Sequence, residues 1–163
     1  MRNTNPIWVL VVHESGARIF SRTKHGEPLV LVETIDHPVG RLKNSEIYQD
    51  RSGSNEEWGP SAQKHGYQKH LDAVEKNALD FAHDLAGRMN QASSLNRFAG
   101  FMIVAGPKMQ GLLRGALSRQ LELCLVGTVV QNLGKSDIRD VKTHIEPFLE
   151  DYDRTAGLTR QSA

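Results

Sequence analysis

The chain has one cysteine, Cys124, among its 163 residues. A single thiol excludes an intramolecular disulfide framework and fits a reducing compartment. The longest uninterrupted apolar stretches are Ile7 to Val12 and Phe101 to Ala105, far short of the roughly 20 residues a membrane-spanning helix needs. Membrane insertion is therefore not expected. The start, MRNTNPIW, lacks the apolar segment and small-residue cleavage site of a secretory signal, so a cytoplasmic location is expected. A surplus of either charge is also missing: 20 Lys and Arg face 19 Asp and Glu. Any attraction to nucleic acid must come from a local patch and not from the field of the whole molecule.

Several catalytic signatures are absent. There is no GxSxG elbow, no HExxH, no zinc-type cysteine set and no GxxxxGK[ST] phosphate loop, and each of those chemistries needs its residues at that spacing. His37, His65 and His70 invite a metal site, but positions five apart sit poorly together on one helix. The carboxylates Asp36, Glu46, Asp50, Glu56 and Glu57 leave a metal-dependent hydrolase as a residual alternative, with no acid, base or nucleophile fixed at contact distance. No catalytic residue, cofactor or metal ligand is assigned, and the balance is against an enzyme.

What is present reads as one mixed α/β domain over 1–150, followed by a flexible tail at 151–163. IWVLVVHE and ARIFSR form a hairpin around Ser15-Gly16, and PLVLVETI adds a third strand, with Leu29 and Leu31 on one side and Val30 and Val32 on the other. Leu71, Val74, Ala78, Phe81, Ala82, Leu85 and Met89 recur at spacings of three and four, which places a helix over about Tyr67 to Met89. Lys69, Asp72, Glu75, Lys76 and Arg88 make its solvated face. FAGFMIVAG is a buried strand, PKMQGLLRGALSRQLELC a crossover helix, LVGTVVQNL a strand parallel to the one near Met102, and SDIRDVKTHIEPFL a last helix. Ser136 is its expected N-cap, and Pro147 should end or bend it.

Between the opening strands and the long helix lies a polar connection, 36–65, too long for a compact domain unless it has a task. It offers Arg41, Lys43, Arg51, Lys64 and His65 with Tyr48 and Trp58, and Lys69 follows at the helix entrance. Such cations suit phosphate contact and the two aromatics suit base stacking. Lys108, after Gly106-Pro107 at a strand-helix junction, is a further candidate, because a helix start presents free amides to a phosphate. Ordinary solvated surface accounts for the same residues without any ligand.

VLVVHESGARIF, LVLVETIDHPVGR, YQDRSG, DFAHDLAGRM and MIVAGPKMQGLLRGALS before LVGTVVQNL together cover roughly residues 7–149. In this order they resemble the bacterial host-attachment protein family, whose members look like the middle domain of archaeal and eukaryotic class I peptide-release factors. The resemblance implies a ribonuclease-H-like arrangement with a three-stranded opening, crossover helices and a mixed sheet. It also implies association with the ribosome or structured RNA, in translation stress or hibernation. The release-factor Gly-Gly-Gln is absent, so no catalytic glutamine carries over to Gln49 or Gln63. The alternative is a protein-interaction or regulatory module that presents the same loop to a protein partner. A homodimer is a further expectation, with Trp8, Tyr48 or Trp58 covering an exposed sheet edge.

Overall fold

The computed structural model describes residues 5–41 and 60–161, with side chains described for 5–40 and 72–156. Strands β1 (Ile7–His13), β2 (Gly16–Arg22), β3 (Val30–Asp36), β4 (Gly100–Ala105) and β5 (Leu125–Val130) form one sheet in the order β3-β2-β1-β4-β5. The first three strands are an antiparallel meander, whereas β1 pairs parallel with β4, and β4 with β5. The fold is mixed α/β, as the change from strand to helical periodicity implied.

Burial on both faces explains why β1 and β4 read as continuous apolar runs and not as alternating ones. Trp8, Leu10 and Val12 of β1 and Phe101, Ile103 and Ala105 of β4 enter one core; Ile7, Val9, Val11, Met102 and Val104 enter the other. The first core is covered by α1 (Pro60–Ser94), α2 (Pro107–Ala116) and α3 (Arg119–Cys124), and the second by α4 (Ile138–Gln161). Trp8 does not cover a sheet edge. It lies on the central strand, 4% exposed, against the Phe98 ring at 5.0 Å and under the Arg97 guanidinium at 5.1 Å. The sequence pattern cannot tell an edge strand from a central one when the later partner strand lies about ninety residues away.

The third strand departs from strict alternation. Its register shifts between Ile19 and Phe20, which pair with Glu33 and Leu31, leaving Val32 as the extra residue of a bulge. Val30 and Leu31 are both exposed on this edge strand, so the expected two-sided split of its side chains holds only in part.

Helix α1 is longer than the Tyr67 to Met89 segment expected from its apolar stripe. Pro60 stands at its first position, where a missing N–H costs nothing. At the other end Asn96, with φ 52°, closes the helix: Arg97 N donates to Ala92 O at 3.0 Å and Asn96 N to Ser93 O at 2.9 Å, the paired bonds of a Schellman motif. At 1.5 Å per residue α1 is roughly 50 Å long, about twice the span of the strands beneath it. Among its described side chains, 72–94, only Phe81, Ala82, Leu85, Ala86, Met89 and Ala92 are fully buried. Because the chain turns from α1 straight into β4, α1 runs antiparallel to β1 and β4, and its first half extends past their carboxyl ends.

The C-terminal segment is helical through Pro147 and on to Gln161, where a tail from 151 was expected. Tertiary anchors outweigh the hydrogen bond lost at the proline. Val141, Ile145 and Leu149 are buried and Tyr152 packs beside them, and Asp153 accepts from Arg22 Nη2 at 2.9 and 2.8 Å. The N-cap is Asp137 and not Ser136: Asp137 Oδ1 accepts from the Asp140 N–H at 2.9 Å, while the Ser136 carbonyl accepts from Arg18 at 2.7 Å.

Candidate functional site

Open α/β sheets bind ligands outside the carboxyl ends of their parallel strands. Here those ends are His13, Ala105 and Val130, and three loops are held over them. Arg18 Nη2 donates to the carbonyls of Leu133 and Ser136 at 2.9 and 2.7 Å, so a side chain on β2 shapes the turn after β5. His13 Nδ1 lies 2.9 Å from Ser15 Oγ in the β1–β2 turn. His37 Nδ1–H donates to the Glu14 carbonyl at 2.9 Å, and its ring stacks on Phe81 with centroids 4.2 Å apart. The corner after β3, including the short helical turn Pro38–Arg41, is thereby fixed to both the hairpin and α1. A Cβ on Gly40 would run into the Glu14 carbonyl oxygen, so only glycine permits this approach.

Beside this rim the first half of α1 and the start of α2 enclose an open cleft of 540 Å³ lined by Asp72, Glu75, Lys76, Leu79, Lys108 and Leu112. Its chemistry is mixed. Two ammonium groups stand with two carboxylates over two leucines, and Leu79 is 41% exposed. The cleft can hold an anionic group beside Lys108 or an amphipathic surface over the leucines.

The start of α2 has its own character. Gly106 is the N-cap and has no side chain to accept from the first turn, Pro107 follows, and no acidic residue lies in that turn. The N–H groups of Lys108 and Met109 precede the first intrahelical donor, Gln110, whose N–H reaches Gly106 O at 2.9 Å. Gln110 is 7% exposed, and both of its amide atoms are buried without a hydrogen-bond partner. An unpaired buried amide costs ~1–3 kcal/mol, a cost that calls for a reason.

Of the candidates read from the sequence, Lys108 lies in the cleft. Arg41 ends the short turn after β3. Lys64, His65 and Lys69 lie on the first turns of α1 by their backbone positions. Lys43, Tyr48, Arg51 and Trp58 lie outside the described residues. Positions 65, 69, 72, 76 and 79 follow the three-and-four spacing of one helical face, and of these Asp72, Lys76 and Leu79 line the cleft. Sequence reasoning passed over Lys76 and Asp72 as solvated surface. The available signal was that their spacing continues from Lys69. Gln110 left no signal, since a glutamine in an amphipathic helix ordinarily faces water. Among the described residues no group of three His, Cys, Asp or Glu side chains could hold a metal ion, and no helix is long and apolar enough to cross a membrane.

These features define an α/β domain with a helix-flanked mixed sheet and a polar rim at the carboxyl ends of its parallel strands. A family model described as "Protein required for attachment to host cells" matches residues 8–145, and the chain belongs to this host-attachment family. Among solved structures it is similar to an archaeal protein, with a TM-score of 0.43 and 10% identity over 99% of this chain and 42% of that one. It is also similar to an archaeal translation termination factor, with a TM-score of 0.43 and 12% identity over 96% of this chain and 43% of that one. The chain spans less than half the length of either, and no activity of those longer proteins is assigned to it on that likeness. No curated protein matches.

Proposed function

We propose that this protein is a non-catalytic factor that binds structured RNA or ribosomal particles. The observation that carries the reading is the projecting first half of α1, whose cationic positions 64, 69 and 76 lead along the helix to the cleft that Lys76 and Lys108 both line. A helix emerging beyond a sheet presents its charges to a partner larger than a pocket ligand, and cations along it suit a polyphosphate backbone. Arg41, Lys43 and Arg51 add positive charge in the adjoining sequence, and Tyr48 and Trp58 supply aromatic faces for unstacked bases. Co-sedimentation of the purified chain with ribosomal particles at low salt tests the reading. Recovery in the particle fraction, lost on charge neutralisation at Lys64, Lys69, Lys76 and Lys108, is the expected result.

A protein-binding role is the second reading, favoured by Leu79 and Leu112 in the cleft with Asp72 and Glu75 beside them. It predicts a complex that survives nuclease, with no retention on ribosomal particles.

A further inference from the structure

The cleft between α1 and α2 carries a charge pattern that a phosphate track alone does not explain. Carboxylates repel a phosphate backbone and leucines give it nothing, yet Asp72 and Glu75 line the cleft together with Leu79 and Leu112. Positions 72, 75, 76 and 79 share one face of α1, and 108 and 112 share one face of α2, so the cleft has two walls with a leucine on each. Glu75, Lys76 and Lys108 are exposed. Further along α1, Arg88 takes Asp84 and Glu33 as partners, each at 3.2 Å. Among the described residues Glu75, Lys76 and Lys108 form no such pair with one another, whereas Asp72 has a partner of its own. One carboxylate and two ammonium groups therefore line the same space without neutralising each other. Its volume of 540 Å³ lies within the ~300–1,000 Å³ of small-ligand pockets, enough for one nucleotide unit. A groove for an amphipathic helix is hydrophobic, and here four of the six lining residues are charged.

We infer that the cleft receives a single unstacked guanine from the loop of a structured RNA. The pairing edge of guanine presents two adjacent donors, N1–H and N2–H, next to the O6 acceptor, and the charges of the cleft complement that order. The Glu75 carboxylate accepts from both donors, and Lys76 beside it donates to O6. Leu79 and Leu112 cover the two faces of the ring, and Lys108 on the other wall meets the flanking phosphate. Carboxylates accept from base amino groups and cations donate to guanine O6 wherever bases are read by their edges, and unstacked loop bases are where RNA sequence is read. The other bases suit this lining less well. Adenine and cytosine place a ring-nitrogen acceptor beside their amino group, and uracil flanks its one N–H with two carbonyls, so each sets an acceptor against the carboxylate. The inference rests on the RNA-binding reading and deepens it by naming the base that the site selects.

The test is fluorescence-anisotropy binding of the full chain, at low salt, to RNA hairpins of one stem whose loop carries a single base among abasic positions: guanine, hypoxanthine, adenine, cytosine or uracil. The guanine hairpin should bind about tenfold tighter than the adenine and uracil hairpins, the size of one two-point contact to a base edge. Hypoxanthine, which lacks the N2 amino group, should fall between them. E75Q, at an exposed position, should bring all five affinities within about twofold and leave their salt dependence unchanged, because Glu75 touches no phosphate. K108A should weaken all five alike. Equal binding of the five hairpins by the wild type, or a guanine preference that persists in E75Q, would overturn the guanine site and leave the RNA reading standing. Guanosine monophosphate titrated alone separates the sources of the base. An E75Q-sensitive response to it, with no hairpin bound, keeps the site as one for a free nucleotide and ends the RNA reading, and no response to either overturns both.

Discussion

Replacing Asp153 by alanine is expected to destabilise the protein far more than an ordinary change on the exposed side of a C-terminal helix. Arg22 is a charged residue on β2 whose side chain is 6% exposed, and a single guanidinium nitrogen reaches both oxygens of Asp153, which is 25% exposed. Removing the carboxylate strands a buried cation, a loss of ~3–5 kcal/mol when both partners are fully enclosed. Water reaches the Asp153 side of this pair and replaces part of the lost solvation, so roughly 2–4 kcal/mol is expected. For a chain of this size each kcal/mol lowers Tm by ~2–4 °C. Urea unfolding of the wild type, D153A, H25A and the double variant R22M/D153L measures the effect. His25 also touches Asp153, at 2.7 Å, but its side chain is 69% exposed, and H25A should fall within about 1 kcal/mol of the wild type. The double variant removes both charges and should recover most of the D153A loss. A D153A cost below about 0.5 kcal/mol, within the range of ordinary surface changes, would refute the argument. So would an H25A cost equal to that of D153A. Hydrogen exchange adds a local readout: if the pair holds the helix beyond Pro147, the amides around Tyr152 should exchange faster in D153A.

Gly40 to alanine drives a Cβ into the Glu14 carbonyl oxygen, and the forced backbone shift should cost ~1–3 kcal/mol in urea unfolding. Asn96 holds a left-handed conformation at the end of α1; N96G should match or exceed the wild-type Tm, and N96A should lower stability by about 1 kcal/mol. Q110L removes a buried unpaired amide and should raise unfolding stability by about 1 kcal/mol. Leu85 is 1% exposed, and L85A should cost ~2–5 kcal/mol, which checks that the α1 face lies on the sheet.

The sheet and its covering helices were legible because their apolar residues keep regular periods. Leu71 to Met89 shows the helical spacing even where polar residues separate the matches. The parallel pairing of β4 with β5 followed from the crossover segment between them. What misled was local chemistry overridden by distant contacts. Pro147 reads as a place where the helix ends or bends, and the helix does not end there, because the Val141, Ile145 and Leu149 stripe and the Arg22 to Asp153 pair hold it beyond the proline. Ser136 and Asp137 are equally good caps in sequence, and Arg18 decides between them by occupying the Ser136 carbonyl. QKHGYQKH contains Gly66 and no apolar stripe, so the first turns of α1 gave no periodic signal. Among the site residues, Lys108 was readable from its place after Gly106-Pro107. Lys76 was not, since its place in the cleft depends on the packing of α1 beside α2.

The central claim is that cations on α1 and α2 meet a polyphosphate partner, and the salt dependence of binding tests it most directly. The affinity of the full chain for ribosomal particles and for structured RNA should be measured across a series of salt concentrations. The wild type is compared with a variant neutralised at Arg41, Lys43, Arg51, Lys64, Lys69, Lys76 and Lys108. Binding that weakens steeply with salt is predicted, with the logarithmic slope reduced by ~0.7–0.9 for each phosphate contact removed, while both proteins unfold at similar urea concentrations. No binding to particles or RNA at low salt, together with recovery of a nuclease-resistant protein complex, would contradict the account.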